Sequence, residues 1–362
     1  MKSTIDLKRF RDSVQTAALV SPSNAIRPVA TRLLLDFDKR EVTGTDLERW
    51  VSVELPEATL GGCVTVEAKR LGQALSILRG DDATIEVGRD KVQLSGSGGK
   101  FSFPSTSPDD FPRMPSKKKP VASCAINATA LCSAFASTQF AIDETNNRYA
   151  LGGVLLGSDG ELRTVATDGR RCVSFATNVP CAELGTTIGP RASVALLCRV
   201  ASRLTGDVTI DVESSAVVVS GCGACVRSPL LEGRFPDIAP IMDSKPELTC
   251  TLQVDSLLAA LDACSVVFAK DTEGDMVCSV DLSHADGSMR LSATSAEVGE
   301  ADAEIPVACE KFRTVTLNAT YLRQFLATLG KGSTVAVHLG TEGATHWLGG
   351  ASHYVLMPME TN

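Results

Sequence analysis

A pattern of helices and strands recurs about every 120–130 residues, and this recurrence limits the possible folds more than any other feature of the chain. Apolar residues at helical spacing begin near residues 6, 127 and 254, and again near 66, 191 and 318. Each second helix is followed by two stretches of alternating apolar and polar residues. A repeat of this length is domain-sized, so the sequence predicts three tandem copies of one α+β unit.

Two polar linkers separate the predicted copies. Residues 104–121 are rich in Pro, Ser and Lys, and residues 230–248 contain several prolines around an Arg-Phe-Pro-Asp stretch. The predicted domains are therefore residues 1–119, 120–246 and 247–362.

Overall charge and hydropathy exclude several classes of protein. The net charge of −8 argues against a simple basic coat for nucleic acid, although a local basic surface stays possible. The N-terminus lacks the uninterrupted apolar core of a secretion signal, and no window approaches the ~20 apolar residues of a membrane span. These features predict a soluble, cytoplasmic protein.

Residues typical of metal sites and enzymes are few or badly spaced. The 12 cysteines lie mostly in apolar periodic stretches, where a reduced thiol packs as a small hydrophobic side chain. Cys222 and Cys225 form the one close pair, and the four histidines add no zinc-like spacing. The stretch 95–100 imitates a phosphate loop but fits a hairpin turn better, and 143–148 fits a polar loop better than a calcium loop. We expect no metal, no cofactor and no catalysis.

Charge differs between the predicted copies. The first has about 19 basic and 16 acidic residues, the second about 10 and 12, and the third about 6 and 15. A basic first domain and an acidic third domain are complementary, which favours a symmetric dimer closed by two first-to-third junctions. The alternative is that the charges serve solubility alone.

Four motifs, in order along the chain, carry a resemblance to a known family. They are Arg-Tyr-Ala-Leu-Gly-Gly at 148–153, Val-Ala-Thr-Asp-Gly-Arg-Arg at 165–171, Glu-Gly-Arg-Phe-Pro-Asp at 232–237 and Tyr-Val-Leu-Met-Pro-Met at 354–359. Together with the triplication, they resemble the bacterial DNA polymerase III sliding clamps, the beta subunits of the replicative holoenzyme. The resemblance covers the whole chain.

This resemblance implies a fold and a function. The fold would be three clamp-type domains, each with two helices on antiparallel sheets, and two chains would close a six-domain ring. Duplex DNA would pass through the ring without sequence specificity, and the clamp would tether the replicative polymerase without catalysing a reaction. The alternative is a clamp-like scaffold that gathers partner proteins without encircling DNA.

The implied DNA-facing residues are basic side chains of the helices and two loops that match the family's DNA-contacting loops. An outer, solvated helix face is the alternative for each helix residue. The candidates are Lys8, Arg9, Arg11, Arg27, Lys69, Arg70, Arg148, Tyr149, Arg199, Arg203 and Arg323.

The implied peptide-binding cleft lies between the second and third predicted domains and would hold short motifs of polymerases, the clamp loader and repair proteins. Met and Leu side chains suit such a groove because they adapt to different ligands. The alternative is that these residues only fill an interdomain core. The candidates are Leu151, Thr167, Gly169, Arg170, Arg171, Cys172, Pro236, Pro240, Ile241, Asn318, Tyr321, Val355, Leu356, Met357, Pro358 and Met359.

Three departures from the family pattern affect this cleft. Cys172 replaces the usual Leu, Pro240 replaces a common basic residue, and the chain ends in Glu360, Thr361 and Asn362. We expect a smaller cleft with a less positive rim.

The dimer contact implied by the resemblance joins an edge strand of the first copy to the third copy. Apolar burial flanked by opposite charges is the expected arrangement. The candidates are Lys100, Phe101, Phe103, Val267, Phe268, Glu297, Glu300 and Glu304.

Overall fold

The computed structural model of the chain divides into two units. The structure describes residues 2–143, 150–158, 160–181, 184–185, 187–242, 250–270, 276–285, 287–307, 312–339 and 343–359. Unit 1 comprises residues 1–132 and 181–230, and unit 2 comprises residues 133–180 and 231–362. The division into three domains stays a prediction.

The six helices predicted from apolar periodicity are present, each shorter than its periodic stretch. One further short helix, α5, was not predicted. The α-helices of the described residues are α1 (Leu7–Ala17), α2 (Ala68–Ile77), α3 (Ala128–Ala136), α4 (Arg191–Ala201), α5 (Ala239–Met242), α6 (Val254–Cys264) and α7 (Ala319–Leu326).

Strands make up most of the remaining regular structure. In the part of the chain that the structure describes they are β1 (Lys2–Asp6), β2 (Arg32–Asp36), β3 (Glu41–Thr45), β4 (Trp50–Glu54), β5 (Cys63–Glu67), β6 (Arg79–Val87), β7 (Lys91–Ser97), β8 (Gly99–Pro104), β9 (Ala122–Asn127), β10 (Gly153–Ser158), β11 (Glu161–Thr167), β12 (Arg171–Pro180), β13 (Thr187–Pro190), β14 (Asp207–Val212), β15 (Ala216–Gly221), β16 (Ala224–Pro229), β17 (Cys250–Gln253), β18 (Ala269–Lys270), β19 (Met276–Val277), β20 (Ser279–Ala285), β21 (Ser288–Ser295), β22 (Gly299–Pro306), β23 (Val315–Asn318), β24 (Thr334–Leu339), β25 (Thr345–Gly349) and β26 (Ser352–Leu356).

Unit 1 contains two antiparallel sheets. One has four strands in the order β1-β6-β7-β8, and the other has eight in the order β5-β2-β3-β4-β16-β15-β14-β9. The stretch 95–100 forms the β7–β8 turn, with Gly98 at φ +110°, which confirms the predicted hairpin. The eight-stranded sheet is continuous across residue 119 because β4 pairs with β16.

Unit 2 also contains antiparallel sheets. Seven strands follow the order β10-β11-β12-β26-β25-β24-β17, four follow the order β22-β21-β20-β23, and β18 pairs with β19. The sequence-distant pairing of β12 with β26, with Cys172 opposite Val355, brings the C-terminal strand beside the middle of the chain.

Helix α1 shows why the periodic stretches form helices. The carboxylate of Asp6 accepts the backbone N–H of Arg9 at 2.8 Å and caps the first turn. Phe10 and Val14 have no solvent exposure and pack in the core of unit 1, whereas Lys8 and Arg9 face solvent. The helix is therefore apolar on one face and basic on the other.

Aromatic residues organise the core of unit 2. The rings of Phe325 in α7 and Tyr354 in β26 stack with centroids 4.5 Å apart. The hydroxyl of Tyr354 donates to the carbonyl of Tyr321 at 3.2 Å, and the indole of Trp347 donates to Thr345 at 2.9 Å. The two contacts of Tyr354 hold β26 against α7.

No helix among the described residues is long and apolar enough to cross a membrane. Of the stretch 143–148, the structure describes Asp143 alone, so the predicted polar loop lies outside the described residues.

Candidate functional site

A five-residue turn between β11 and β12 forms one wall of the candidate site. One carboxylate oxygen of Asp168 accepts the backbone N–H groups of Arg170 and Arg171 at 2.9 and 3.0 Å. The hydroxyl of Thr167 donates to the carbonyl of Arg171 at 2.6 Å. Gly169 has φ +85°, which favours glycine because it has no Cβ. The turn is therefore fixed by side-chain hydrogen bonds.

The guanidinium of Arg171 is buried behind this turn, with 7% of the side chain exposed. It donates to Asp168 at 2.8 Å and to the carbonyl of Phe140 at 2.8 Å. It also lies over the ring of Tyr321, 3.9 Å from the centroid, and bonds to Gln324. These contacts compensate the buried charge and make the guanidinium a rigid support for the groove.

An apolar groove of about 410 Å³ opens beside the turn, entirely within unit 2. Its walls come from the turn and the start of β12, from residues 236–241, and from the C-terminal strand with the residues after it. The lining residues are Leu151, Thr167, Asp168, Gly169, Arg170, Arg171, Cys172, Pro236, Asp237, Ile238, Ile241, Val355 and Met357.

Ile241 and Met357 keep their side chains accessible, with 43% and 44% of their surfaces exposed. Arg170 and Asp237 are exposed and place one cation and one anion in the lining. Such a surface suits an extended apolar segment whose polar groups meet a few fixed partners.

Burial raises the pKa of the Cys172 thiol to about 12, and the charge of Asp168 acts in the same direction. The thiol is therefore neutral near pH 7, and it contributes a small apolar surface to the groove.

Six of the sequence-predicted cleft residues do not line the groove. Leu356 is buried at 1% exposure, Tyr321 lies under Arg171, and Asn318 caps α7 by accepting the N–H of Tyr321 at 3.0 Å. Pro240 is exposed in α5, Pro358 is half-buried, and the N–H of Met359 donates to the carbonyl of Thr316 at 2.8 Å.

Three lining residues were not predicted from the sequence: Asp168, Asp237 and Ile238. Asp168 stands inside the Thr-Asp-Gly turn. Because the carboxylate of an aspartate in such a turn accepts backbone N–H groups, the sequence did contain a signal for this residue. Asp237 and Ile238 lie next to Pro236 in the second linker, where no periodic pattern indicates which side chains face the groove.

Some of the predicted DNA-facing residues bond to other groups of the chain, whereas others are exposed to solvent. Arg11 donates to the carbonyls of Leu75 and Leu78 at 2.9 and 2.8 Å, so it joins α1 to the end of α2. Arg70 pairs with Glu67 at 2.9 Å, and Arg323 pairs with Asp262 at 3.0 Å. The remaining described candidates are exposed: Lys8, Arg9, Arg27, Lys69, Arg199 and Arg203.

Arg148 and Tyr149, the two remaining DNA-facing candidates, lie outside the described residues. Glu360, Thr361 and Asn362, the unusual chain ending, lie outside them as well.

Five of the eight predicted dimer residues lie at two sheet edges. In unit 1, Phe101 and Phe103 of edge strand β8 line a hollow of about 570 Å³ with residues of α2, and Lys100 is exposed. In unit 2, edge strand β22 carries exposed Glu300 and Glu304. Elsewhere in unit 2, Glu297 is exposed, Phe268 is half-buried and Val267 is buried, whereas its neighbour Val266 is 75% exposed.

In the described part of the chain, Cys222 and Cys225 do not belong to any group of three or more side chains that could bind a metal ion. Cys222 is exposed at φ +52° and its thiol contacts the carbonyl of Thr205 at 3.2 Å. Cys225 is half-buried in β16, where burial raises its pKa.

The comparisons with known proteins agree in the kind of protein they match. Residues 125–237 match the family model for the central domain of the DNA polymerase III beta subunit. The chain is 27% identical over 379 residues to the beta sliding clamp of Vibrio cholerae, covering 99% of this chain and 100% of that one. It is 27% identical over 319 residues to the beta sliding clamp of Chlamydia muridarum, covering 85% of this chain and 84% of that one.

A solved structure gives the same fold. The sliding clamp of Pseudomonas aeruginosa bound to griselimycin superposes with a TM-score of 0.89 at 24% identity, and all of both chains is covered. The chain therefore has the sliding-clamp fold.

Proposed function

Because the chain belongs to the bacterial sliding clamps, the beta subunits of DNA polymerase III, we propose that it is a non-catalytic clamp that tethers the replicative polymerase to duplex DNA. Two chains form a closed ring in the cytoplasm, and the DNA passes through that ring. The observation that supports the proposal most is the apolar groove of unit 2, because a clamp of this family would use such a groove to bind short peptides.

The groove supports peptide capture because its apolar walls are fixed from behind. The buried Arg171 supports the turn, and Cys172 and Val355 sit opposite each other on paired strands. The exposed side chains of Met357 and Ile241 give the groove an adaptable rim. Partners of this groove are the polymerase, the clamp loader and repair proteins that carry short clamp-binding peptides.

DNA binding in this proposal depends on closure of the ring. The net charge of −8 disfavours tight binding through charge alone, so exposed basic side chains on the helices need only guide the phosphates. Lys8, Arg9, Lys69, Arg199 and Arg203 have the exposure for that role. Arg11 supports the helix pair through its two carbonyl contacts.

Ring closure in this proposal joins β8 of one chain to the β22 edge of its partner. Phe101 and Phe103 provide apolar surface, Lys100 provides positive charge, and Glu300 and Glu304 provide the opposite charge. Edge strands suit this role because their outer backbone groups are available for pairing.

Retention on circular DNA tests the function. The protein, loaded onto nicked circular duplex DNA by the clamp loader of the same organism, is passed over a sizing column in high salt. We expect it to stay with the circle and to be released when a restriction enzyme cuts the circle, because salt weakens phosphate contacts but not threading. Equal loss from intact circles would contradict the clamp and would favour the peptide-binding scaffold.

A matched pair of variants separates the ring from the groove. Phe101→Glu should give a monomer by solution mass and lose retention on circles while keeping affinity for a polymerase-derived peptide. Met357→Glu should stay a dimer that is retained on circles, and it should lose affinity for the peptide. A variant pair that lost both properties together would contradict the assignment of ring and groove to separate surfaces.

A further inference from the structure

Two thiols of unit 1 lie directly against each other. Cys132 is on α3 and Cys198 is on α4, and their Sγ atoms are 3.3 Å apart. The sulfur of Cys198 also lies 3.7 Å from the carbonyl oxygen of Cys132. Because the S–S bond of a disulfide is about 2.04 Å long, the two sulfurs have to approach each other by about 1.3 Å to form one. Rotation of the two side chains about their Cα–Cβ bonds can supply a movement of that size.

Solvent can reach this pair of thiols. Both cysteines are half-buried, and each stands beside an exposed residue of its helix, Ser133 on α3 and Arg199 on α4. A small oxidant dissolved in water can therefore contact the sulfurs in the folded protein.

A second pair of thiols in the same unit provides an internal comparison. The thiols of Cys124 and Cys181 are hydrogen-bonded to each other, and both side chains are buried. A water-soluble oxidant has little access to them. We therefore expect the half-buried pair to be oxidised first, although both pairs bring two thiols together.

The position of the half-buried pair along the chain gives a cross-link a structural effect. Cys132 and Cys198 are 66 positions apart. Between them, the chain leaves unit 1, contributes residues 133–180 to unit 2 and returns to unit 1 at residue 181. A bond between the two sulfurs closes a loop that includes the groove turn at 167–171. Closing a loop of this length lowers the conformational entropy of the unfolded chain and so stabilises the folded protein.

We propose that Cys132 and Cys198 form an oxidation site, which a low-molecular-weight disulfide such as oxidised glutathione converts to a disulfide bond between α3 and α4. The thiolate of Cys132 attacks one sulfur of the reagent, whose S–S bond breaks and releases one thiolate. Cys198 then loses its proton to solvent and attacks the sulfur of Cys132, which releases the second reagent thiolate. The two protein sulfurs are oxidised, and the reagent is reduced to two thiols.

The second step limits the rate of this reaction. Burial raises the pKa of the Cys198 thiol, and the hydrogen bond with Cys132 raises it further. Its thiolate is therefore scarce near pH 7, and we expect the cross-link to form faster as the pH rises. An excess of a reducing thiol restores both cysteines by the reverse exchange. The site is independent of the proposed clamp function.

Peptide mapping without reduction tests the site. The full chain is incubated with oxidised glutathione at pH 8, its remaining thiols are blocked with iodoacetamide in denaturant, and its peptides are analysed by mass spectrometry. We expect a cross-link between Cys132 and Cys198, whereas Cys124 and Cys181 are recovered as blocked thiols. The midpoint of thermal unfolding should rise by at least about 5 °C and return to its original value after reduction.

Two serine variants complete the test. Cys198→Ser should stop at a mixed disulfide between Cys132 and glutathione, with no rise in the unfolding midpoint. Cys222→Ser is the matched control, because Cys222 is exposed and its thiol contacts a backbone carbonyl. We expect this control to form the cross-link as the wild type does. Thermal unfolding of the reduced variants checks that both fold.

Two results would overturn the proposal. One is recovery of Cys132 and Cys198 as blocked thiols under conditions that fully modify the exposed Cys222. The other is a mapped cross-link between Cys132 and Cys198 that leaves the unfolding midpoint unchanged.

Discussion

The same five-residue turn occurs in both units, and the two copies have different neighbours. Thr-Asp-Leu-Glu-Arg at 45–49 joins β3 to β4, and Thr-Asp-Gly-Arg-Arg at 167–171 joins β11 to β12. In both, the aspartate accepts from the arginine backbone and side chain, and the threonine donates to the arginine carbonyl. The registers also match, because Thr45 faces Trp50 as Thr167 faces Cys172.

The residue after each turn distinguishes the two copies. In unit 1 it is Trp50, whose indole donates to the carbonyl of Pro112 in the first linker at 3.3 Å. In unit 2 it is Cys172, and the second linker borders an open groove through Pro236 and its neighbours. The turn supplies a rigid support in both units, and a small side chain after it leaves room for a ligand.

The largest expected difference concerns the two turn arginines. Arg171→Ala should lower the free energy of unfolding of unit 2 by about 3–5 kcal/mol, because it removes a buried guanidinium and leaves the carboxylate of Asp168, which is only 12% exposed, without its cation. Arg49→Ala should cost unit 1 only about 1 kcal/mol, because Arg49 is 19% exposed and no ring contact supports it in the described structure.

Each unit contains one tryptophan, which makes this comparison measurable. In a Trp50→Phe background, the emission of Trp347 reports unfolding of unit 2 in denaturant, and the converse background reports unit 1. Equal losses for the two arginine variants would show that the additional contacts of Arg171 add no stability.

Filling the groove should remove peptide binding. Cys172→Trp introduces into unit 2 the residue that follows the turn in unit 1. We expect affinity for a polymerase-derived peptide to fall at least about 100-fold, equivalent to about 2.7 kcal/mol, in a fluorescence anisotropy titration. Cys172→Ser is the control and should stay within a few-fold of the wild type. Unchanged affinity in Cys172→Trp would place the peptide elsewhere.

Substitution of the residue with positive φ in each turn should have a smaller effect on the free energy of unfolding. Gly169 has φ +85° and Leu47 has φ +81°. Gly169→Ala should cost about 1 kcal/mol for conformational reasons, because an added Cβ meets no atom within 4 Å. Leu47→Gly should change the free energy of unfolding by less than about 0.5 kcal/mol, because relief of strain offsets the lost side chain. Denaturant titration checks both variants, and a larger loss in Leu47→Gly would contradict this account.

The thiol of Cys172 should react slowly. Its pKa of about 12 means that the reactive thiolate is scarce at pH 8 and increases about tenfold with each pH unit. We expect alkylation by iodoacetamide, followed by mass spectrometry, to be far slower at Cys172 than at the exposed Cys222 and to rise without a plateau up to pH 10. A plateau below pH 9 would show that the groove wall is more hydrated than the structure indicates.

Local patterns in the sequence predicted local structure well. The six periodic helices and the hairpins after α2, α4 and α7 depend on neighbouring residues, so their periodicity was sufficient to find them. The pairings of β4 with β16 and β12 with β26 join residues far apart in sequence. No local pattern specifies such pairings.

The site was predictable in part for the same reason. Residues 167–171 of the turn motif and Val355 and Met357 of the C-terminal motif line the groove. The position of Tyr321 beneath Arg171, by contrast, depends on the docking of α7. The role of Arg11 as a link between α1 and α2 was also hidden, because exposed and carbonyl-bonded arginines have the same spacing on a helix.

Hydrogen–deuterium exchange with and without a polymerase-derived peptide tests most directly whether unit 2 holds the ligand groove. We predict slower exchange at residues 167–172 and 355–357 and no change at residues 45–50. Protection of the unit 1 turn, or peptide binding without protection of the unit 2 turn, would contradict the account.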